Sequence, residues 1–323
     1  MLSKNWQGFV INTYDMKYKV VGLWKALKSA GNGFMDDNAL KLSASLSYYT
    51  IFALGPLIVI IISLTGIFFG RLAVEGRIYG ELNQLVGGQV ALQIQDIIIN
   101  IQKSEASTSG AIIGGIILFI AATGVFTEMQ ESINYIWSVK AKPKKSWLKF
   151  IINRLLSFSL IVGFGFILLV SLSLNAILSL LSDRLMRLLP DYTIAFFYVI
   201  NTGIMLVVIT GLFTVIFKVL PDAIIAWKDA IMGALLTAVL FLSGKYLIGF
   251  YIGRSNLGVT YGAAASIVIL LTWVYYSSII LYFGAEFTKM YALHTGSGIR
   301  PKDTAVFIIK RESKEVPVSY LDT

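Results

Sequence analysis

Cysteine is absent from this chain of 323 residues, and histidine occurs once, at His294. The first absence excludes disulfides, thiolate catalysis and cysteine-ligated zinc or iron–sulfur centres. The second leaves no H-E-x-x-H pair, and the sequence also lacks a G-x-S-x-G elbow and a Walker phosphate loop. Phosphodiester hydrolysis usually needs acids or histidines clustered around divalent metals. The acids Glu128, Glu131, Asp229 and Glu286 sit on separate turns, which is poor material for such a centre. The expectation is therefore a protein that is not an enzyme, with no cofactor and no metal site.

Charge is scarce too. Only 14% of residues are charged against 56% hydrophobic, and the mean hydropathy is +0.75, outside the usual soluble balance. A bilayer core about 30 Å thick needs roughly 20 apolar residues per helix. Six stretches qualify: Leu46 to Phe69, Ala111 to Tyr135, Phe150 to Leu180, Ile194 to Val219, Trp227 to Ile252 and Tyr261 to Phe287. Lipid offers backbone groups no partner and the alternation of a barrel strand is missing, so each stretch is read as a helix. The fold class is all-α, a polytopic bundle of six membrane-spanning helices with amphipathic helices at the interfaces.

The first apolar run begins some 45 residues in, and no cleavable signal peptide is expected. Net charge is +9, but the distribution of basic residues explains the sum. Segments 1–45, 138–149, 218–228 and 289–323 hold nineteen lysines and arginines, and the intervening loops hold six. That bias, with six spans, puts both termini in the cytoplasm. Basic residues so used give no reason to expect a nucleic-acid partner, although Lys140, Lys142, Lys144, Lys145 and Lys149 could touch anionic lipid head groups. Membrane lipids are the expected partners, and self-association is left open.

Residues 1–45 form a cytoplasmic segment, of which 15–45 mix Val20, Trp24, Leu27 and Phe34 with lysines, a pattern suited to lying on the membrane. Residues 46–288 are the membrane domain. Within its external loop 70–110, Leu82, Leu85, Val86, Val90, Ile94, Ile97, Ile98 and Ile101 recur at helical spacing. They predict a helix that packs on the span ends, or else a lid over a cavity mouth. The tail 289–323 reads as largely flexible, with only the short AVFII run at 305–309 able to form a strand. No internal repeat supports an inverted-repeat transporter.

Ionisable groups inside a span are costly and normally face a bundle interior or a wet cavity. Glu128, Glu131 and Asn134 share one side of the second span, with Glu128 roughly 25 Å along it. They are either interfacial, or face inward and pair with Lys218, Lys228 or Arg154 as a polar floor. Asp229 and Glu286 fall at the same level. Without an ATP motif, transport would be passive or ion-driven, and Glu128 or Glu131 is the candidate proton carrier. Pro56 should kink the first span, where Tyr48 and Tyr49 precede it. Lys245, about 27 Å from Trp227 if helical, joins Tyr251, Arg254, Asn256 and Tyr261 in a cationic outer rim suited to an anionic head group. Gly262, Ala263, Ala264, Ala265 and Ser266 would permit close helix packing.

Four stretches together, ASLSYYTIFALGPL, GVFTEMQESINYIWSV, LPDAIIAWKDAIMGALLTAVLF and YGAAASIVILLTWVYYSSIILYFGAEF, resemble the YihY/virulence factor BrkB family of bacterial inner-membrane proteins. The resemblance covers roughly residues 20 to 290 and implies six spans with both termini inside. It also brings an old ribonuclease BN label, generally regarded as a misassignment, and a suggestion of transport or lipid export. It offers no catalytic residues to carry over. The functional expectation is a transporter or exporter of a lipid or other amphiphile, ion-coupled if its acids face a cavity. The rival is a scaffold of the cell envelope, which predicts a dry, well-packed bundle; a membrane-bound hydrolase or ribonuclease ranks third.

Overall fold

The computed structural model describes residues 22–69, 83, 87–103, 124–142, 190–255 and 260–310. These form seven helices and four short strands. Helix α1 covers residues 22–36, α2 Ala39–Phe69, α3 Gly88–Lys103 and α4 residues 124–136. Strand β1, Val139–Ala141, follows α4. Helix α5, Pro190–Val219, leads through β2, Ala223–Ile224, to α6, Trp227–Arg254. A 3-10 turn at Gly262–Ala264 opens α7, Ala265–His294, and the tail adds β3, Arg300–Pro301, and β4, Ala305–Phe307.

Three of the described helices are long and apolar enough to cross a membrane by length and composition: α5 from Thr202, α6 and α7. They match the fourth, fifth and sixth expected spans. The first expected span lies within α2, which continues through Pro56 as one element. Of the second span only 124–136 is described, and the third, Phe150 to Leu180, lies outside the described residues. The expected boundaries at 45/46 and 288/289 both fall inside helices, α2 and α7.

Hydroxyls in α2 fold back onto their own helix. Ser43, Ser47 and Thr50 donate to the carbonyls of Ala39, Ser43 and Leu46, each at 2.7 Å, which satisfies them without a partner helix or water. Helices α6 and α7 run antiparallel and interlock. Thr288 of α7 lies over Gly233 of α6, Thr237 of α6 lies over Gly284 of α7, and Tyr276 covers Gly244. Each threonine hydroxyl donates to the carbonyl of the glycine on its own helix, Thr237 to Gly233 and Thr288 to Gly284. Glycine is needed at 233 and 284 because a Cβ at either would overlap the facing threonine. The small residues 262–266 do not serve this purpose. Gly262 turns the chain with φ +52°, and Gly262, Ala264 and Ser266 are exposed; the close packing is located about three to six turns further along α7, from Tyr276 to Thr288.

The principal core lies where the tail is. Phe34, Leu46, Phe126, Ile133, Ile136, Trp137, Phe217, Leu220 and Tyr282 meet there, contributed by α1, α2, α4, α5 and α7. Beside it, Ala26 and Ala30 of α1 pack on Phe287. Residues 22–36 thus dock on α7 through small residues, while Trp24 on the other face is exposed. At the opposite, far end, Val90, Ala91 and Ile94 of α3 pack against Ile248, Ile252, Ile269 and Leu270.

The tail departs from the expected flexibility. Residues 300–310 are held by two antiparallel strand pairs, β3 on β2 and β4 on β1. The amides of Lys302 and Ile308 donate to the carbonyls of Asp222 and Ser138, at 3.0 and 2.8 Å, and that of Lys142 donates to Thr304 at 2.7 Å. Tail side chains add to these backbone bonds: Lys302 donates to the Val219 carbonyl at 3.4 Å and Lys310 to Asp37 at 2.6 Å. Residues 311–323 lie outside the described residues.

Candidate functional site

Two places combine polar groups with restricted surroundings, one at each end of the bundle. The first is built where α1 turns into α2. Asn38, in the left-handed region at φ +52°, ends α1 and leaves Asp37 buried against α7. Lys310 of the tail donates to Asp37 Oδ1 at 2.6 Å and lies 4.0 Å from the Tyr135 ring centroid. Lys289 of α7 stands 3.6 Å from Asp37 Oδ2 and 3.5 Å from Glu286 Oε2, and donates to the Ile136 carbonyl at 2.6 Å. That last bond caps the end of α4 with a cation, the favourable sense for a helix C-terminus. Burial lowers Lys310 below the ordinary lysine range, opposed by the hydrogen bond and charge of Asp37. Glu286 is fully buried. No third histidine, aspartate or glutamate joins the two acids among the described residues.

The other expected polar residues do not converge here. Asn134 and Asp222 bind one another: Asn134 Nδ2 donates to Asp222 Oδ2 at 2.8 Å, and the Asp222 amide donates to Asn134 Oδ1 at 2.7 Å. Gln130 adds a longer bond to the same carboxylate. Asp229, in the first turn of α6, accepts from the amide and hydroxyl of Ser297 at 3.0 and 3.3 Å, which fixes the turn after α7. Lys228 is exposed beside it, and Glu131 is exposed on α4. Glu128 is half-buried and accepts from Ser132 at 3.5 Å. Lys218, the proposed partner of these glutamates, instead donates to the Ile225 carbonyl with its ammonium 5.4 Å from the Trp227 ring centroid. Arg154 lies outside the described residues. Among the described residues, the buried acids Asp37, Asp222 and Asp229 form three separate clamps, and the exposed Glu131 takes part in none of them. Asp37, Asp222 and Lys310 escaped the sequence reading because each lies outside an apolar span, where a charge raises no question.

The second place is at the far end. A cavity of about 550 Å³ opens between the start of α3 and the last turns of α6, lined by Gly87, Gln89, Lys245, Tyr246 and Phe250 among others. Lys245 is half-buried, with its ammonium 5.0 Å from the Tyr246 ring centroid. Val90, Leu92 and Ile252 add apolar wall, and Asn83 a further polar side chain. Arg254 is exposed and packs on Phe250 at 4.1 Å instead of lining this cavity, and Asn256 lies outside the described residues.

The family model for Virulence factor BrkB matches residues 30–306. The chain belongs to that family. It is 28% identical over 262 residues to a UPF0761 membrane protein of Janthinobacterium sp. (strain Marseille), covering 80% of this chain and 58% of that one. A UPF0761 membrane protein of Pseudomonas paraeruginosa is 26% identical, with 78% and 59% covered. One of Vibrio vulnificus is 25% identical over 294 residues, with 87% of each covered. The chain thus spans somewhat under two thirds of the first two relatives. No solved structure matches it. With its apolar helices and this membership, it is an integral membrane protein. The match takes in Asp37, Lys245 and Glu286 and ends before Lys310.

Proposed function

We propose that this BrkB-family protein moves an amphiphile with an anionic head group across the bacterial cytoplasmic membrane, driven by an ion gradient. The far-end cavity carries the reading. It combines one cation, Lys245, with an aromatic and aliphatic wall, which is the composition an amphiphile needs: charge for the head, apolar surface for the chain. The opposite end is closed by the Asp37, Asp222 and Asp229 clamps. Alternating access would need a route from this cavity past those clamps to open in turn. In this reading the tail end and both termini face the cytoplasm, following the basic residues, and no hydrolytic step is assigned. A scaffold would have no use for the cavity.

The test is reconstitution into vesicles with fluorescent phospholipids of anionic and zwitterionic head groups, followed by their exchange between leaflets. Faster exchange of the anionic lipid than in protein-free vesicles, reduced by Lys245→Glu and preserved by Lys245→Arg, supports the proposal. Exchange no faster than in protein-free vesicles for either lipid overturns it.

A further inference from the structure

We infer that Glu286 and Asp37 form a proton-binding site in which one proton is held between the two carboxyls, at the seam between α1 and α7. This deepens the transport reading by naming the coupling ion and where it sits, but the proton itself is detectable without any transport.

Among the described residues, no side chain hydrogen-bonds the buried oxygens of this pair. Glu286 has no exposed surface, and among the described residues neither of its oxygens receives a hydrogen bond. Oδ2 of Asp37 is buried in the same condition. The backbone of α1 rests on the Glu286 carboxyl, so that a Cβ at Gly33 would stand 2.8 Å from Oε2 and 3.1 Å from Cδ. That contact leaves no room for water on the α1 side. The charged and titratable groups facing the pair are few. Lys289, on the helix of Glu286, is at ion-pair range of both acids, yet its short hydrogen bond goes to the Ile136 carbonyl. Lys310, from the tail, donates to the other oxygen of Asp37. Tyr282 lies one turn before Glu286 on the same helix with its hydroxyl buried, and Asp36 beside Asp37 is exposed.

A buried carboxylate without a donor is strongly disfavoured, and two carboxyls sharing a site resolve the conflict by keeping one proton. An O–H on Glu286 donating to Asp37 would satisfy an orphaned oxygen on each residue at once. Both lysines retain some exposure and can be hydrated, whereas Glu286 has none; Lys289 is at ion-pair distance of its Oε2, yet neither of its oxygens receives a hydrogen bond among the described residues. Movement of α1 away from Gly33's contact would admit water and release the proton. Because the closed seam binds the proton more tightly than the open one, acidification favours closure and alkalinisation favours opening.

Infrared difference spectroscopy of the full chain in lipid vesicles, with pH stepped across neutrality, reads the site directly. The wild type should show a protonated-carboxyl C=O band at neutral pH, absent in Glu286→Gln and displaced in Asp37→Asn, which keeps the site testable should the first variant fail to fold. The inference is overturned if no such band exists at neutral pH, or if it survives unchanged in Glu286→Gln. If the band behaves as expected while Glu286→Gln leaves lipid exchange in the vesicle assay at the wild-type rate and pH dependence, the coupling role is overturned and the proton site alone stands.

Discussion

Asn134 of α4 and Asp222 of the α5–α6 connection hold each other by a reciprocal pair of hydrogen bonds, side chain to side chain in one direction and backbone to side chain in the other. Both residues are buried. Asn134→Leu would remove the shorter donor from the Asp222 carboxylate and leave its amide without that acceptor, a loss of about 1–3 kcal/mol. Asp222→Asn keeps an acceptor of the same shape and should cost less. Thermal unfolding in detergent checks the order: Asn134→Leu lowest in Tm, Asp222→Asn between it and the wild type. An unchanged Tm for Asn134→Leu would remove the clamp from the account of stability.

The glycine–threonine interlock of α6 and α7 makes a second, sharper test. Gly284→Val places methyls where Thr237 already lies, and overpacking of this kind typically costs about 1–3 kcal/mol. Gly203→Ala on α5 serves as the control, because its Cβ would meet nothing and alanine is the better helix former. The expected result is a markedly less stable Gly284→Val protein beside a Gly203→Ala protein at least as stable as the wild type, measured by the fraction remaining monodisperse after heating.

Asp222, in the stretch LPDAIIAWKDA, does its work across a long sequence distance. Helices α5, α6 and α7 were legible because about 20 consecutive apolar residues have only one solution in lipid. The clamps were not legible, because nothing in the sequence says that Asp222 meets Asn134, 88 positions earlier, or that Asp37 meets Lys310. The small-residue run at 262–266 drew attention through composition alone, whereas Gly233 and Gly284 work as isolated residues opposite threonines. The tail was misjudged for a related reason: strands of two or three residues carry almost no periodic signal, and their stability comes from partners already fixed by the helices.

That tail offers a crosslinking experiment unclouded by native thiols, since the chain contains no cysteine. Ala141 and Ala305 face one another across the β1–β4 pair. The neighbouring Lys140–Val306 pair falls in register with the backbone bonds at Ser138–Ile308 and Lys142–Thr304, which makes Ala141–Ala305 a non-hydrogen-bonded position with closely spaced side chains. Ala141→Cys with Ala305→Cys should form an intramolecular disulfide on mild oxidation, visible as a reducible mobility shift. Asp37→Ala, which frees Lys310, should slow its formation in the same background. Failure of the double variant to crosslink would mean that the tail is not docked as described.

The glutamates of α4 are the natural rivals to Glu286 as the coupling group, and their surroundings argue against them. Glu131 is exposed, and Glu128 is only half-buried with a 3.5 Å bond from Ser132. An acid already in contact with water gains little from changing its protonation state as helices move, so it transmits little of a proton gradient to the fold. Glu128→Gln combined with Glu131→Gln should therefore leave Tm within about 0.5 kcal/mol of the wild type in stability terms, as surface substitutions usually do. It should also leave the pH dependence of anionic lipid exchange in vesicles intact, while Glu286→Gln flattens it. The reverse pattern, with pH dependence lost in the double glutamine variant and kept in Glu286→Gln, would return the coupling role to α4 and reduce the buried acid pair to a structural clamp.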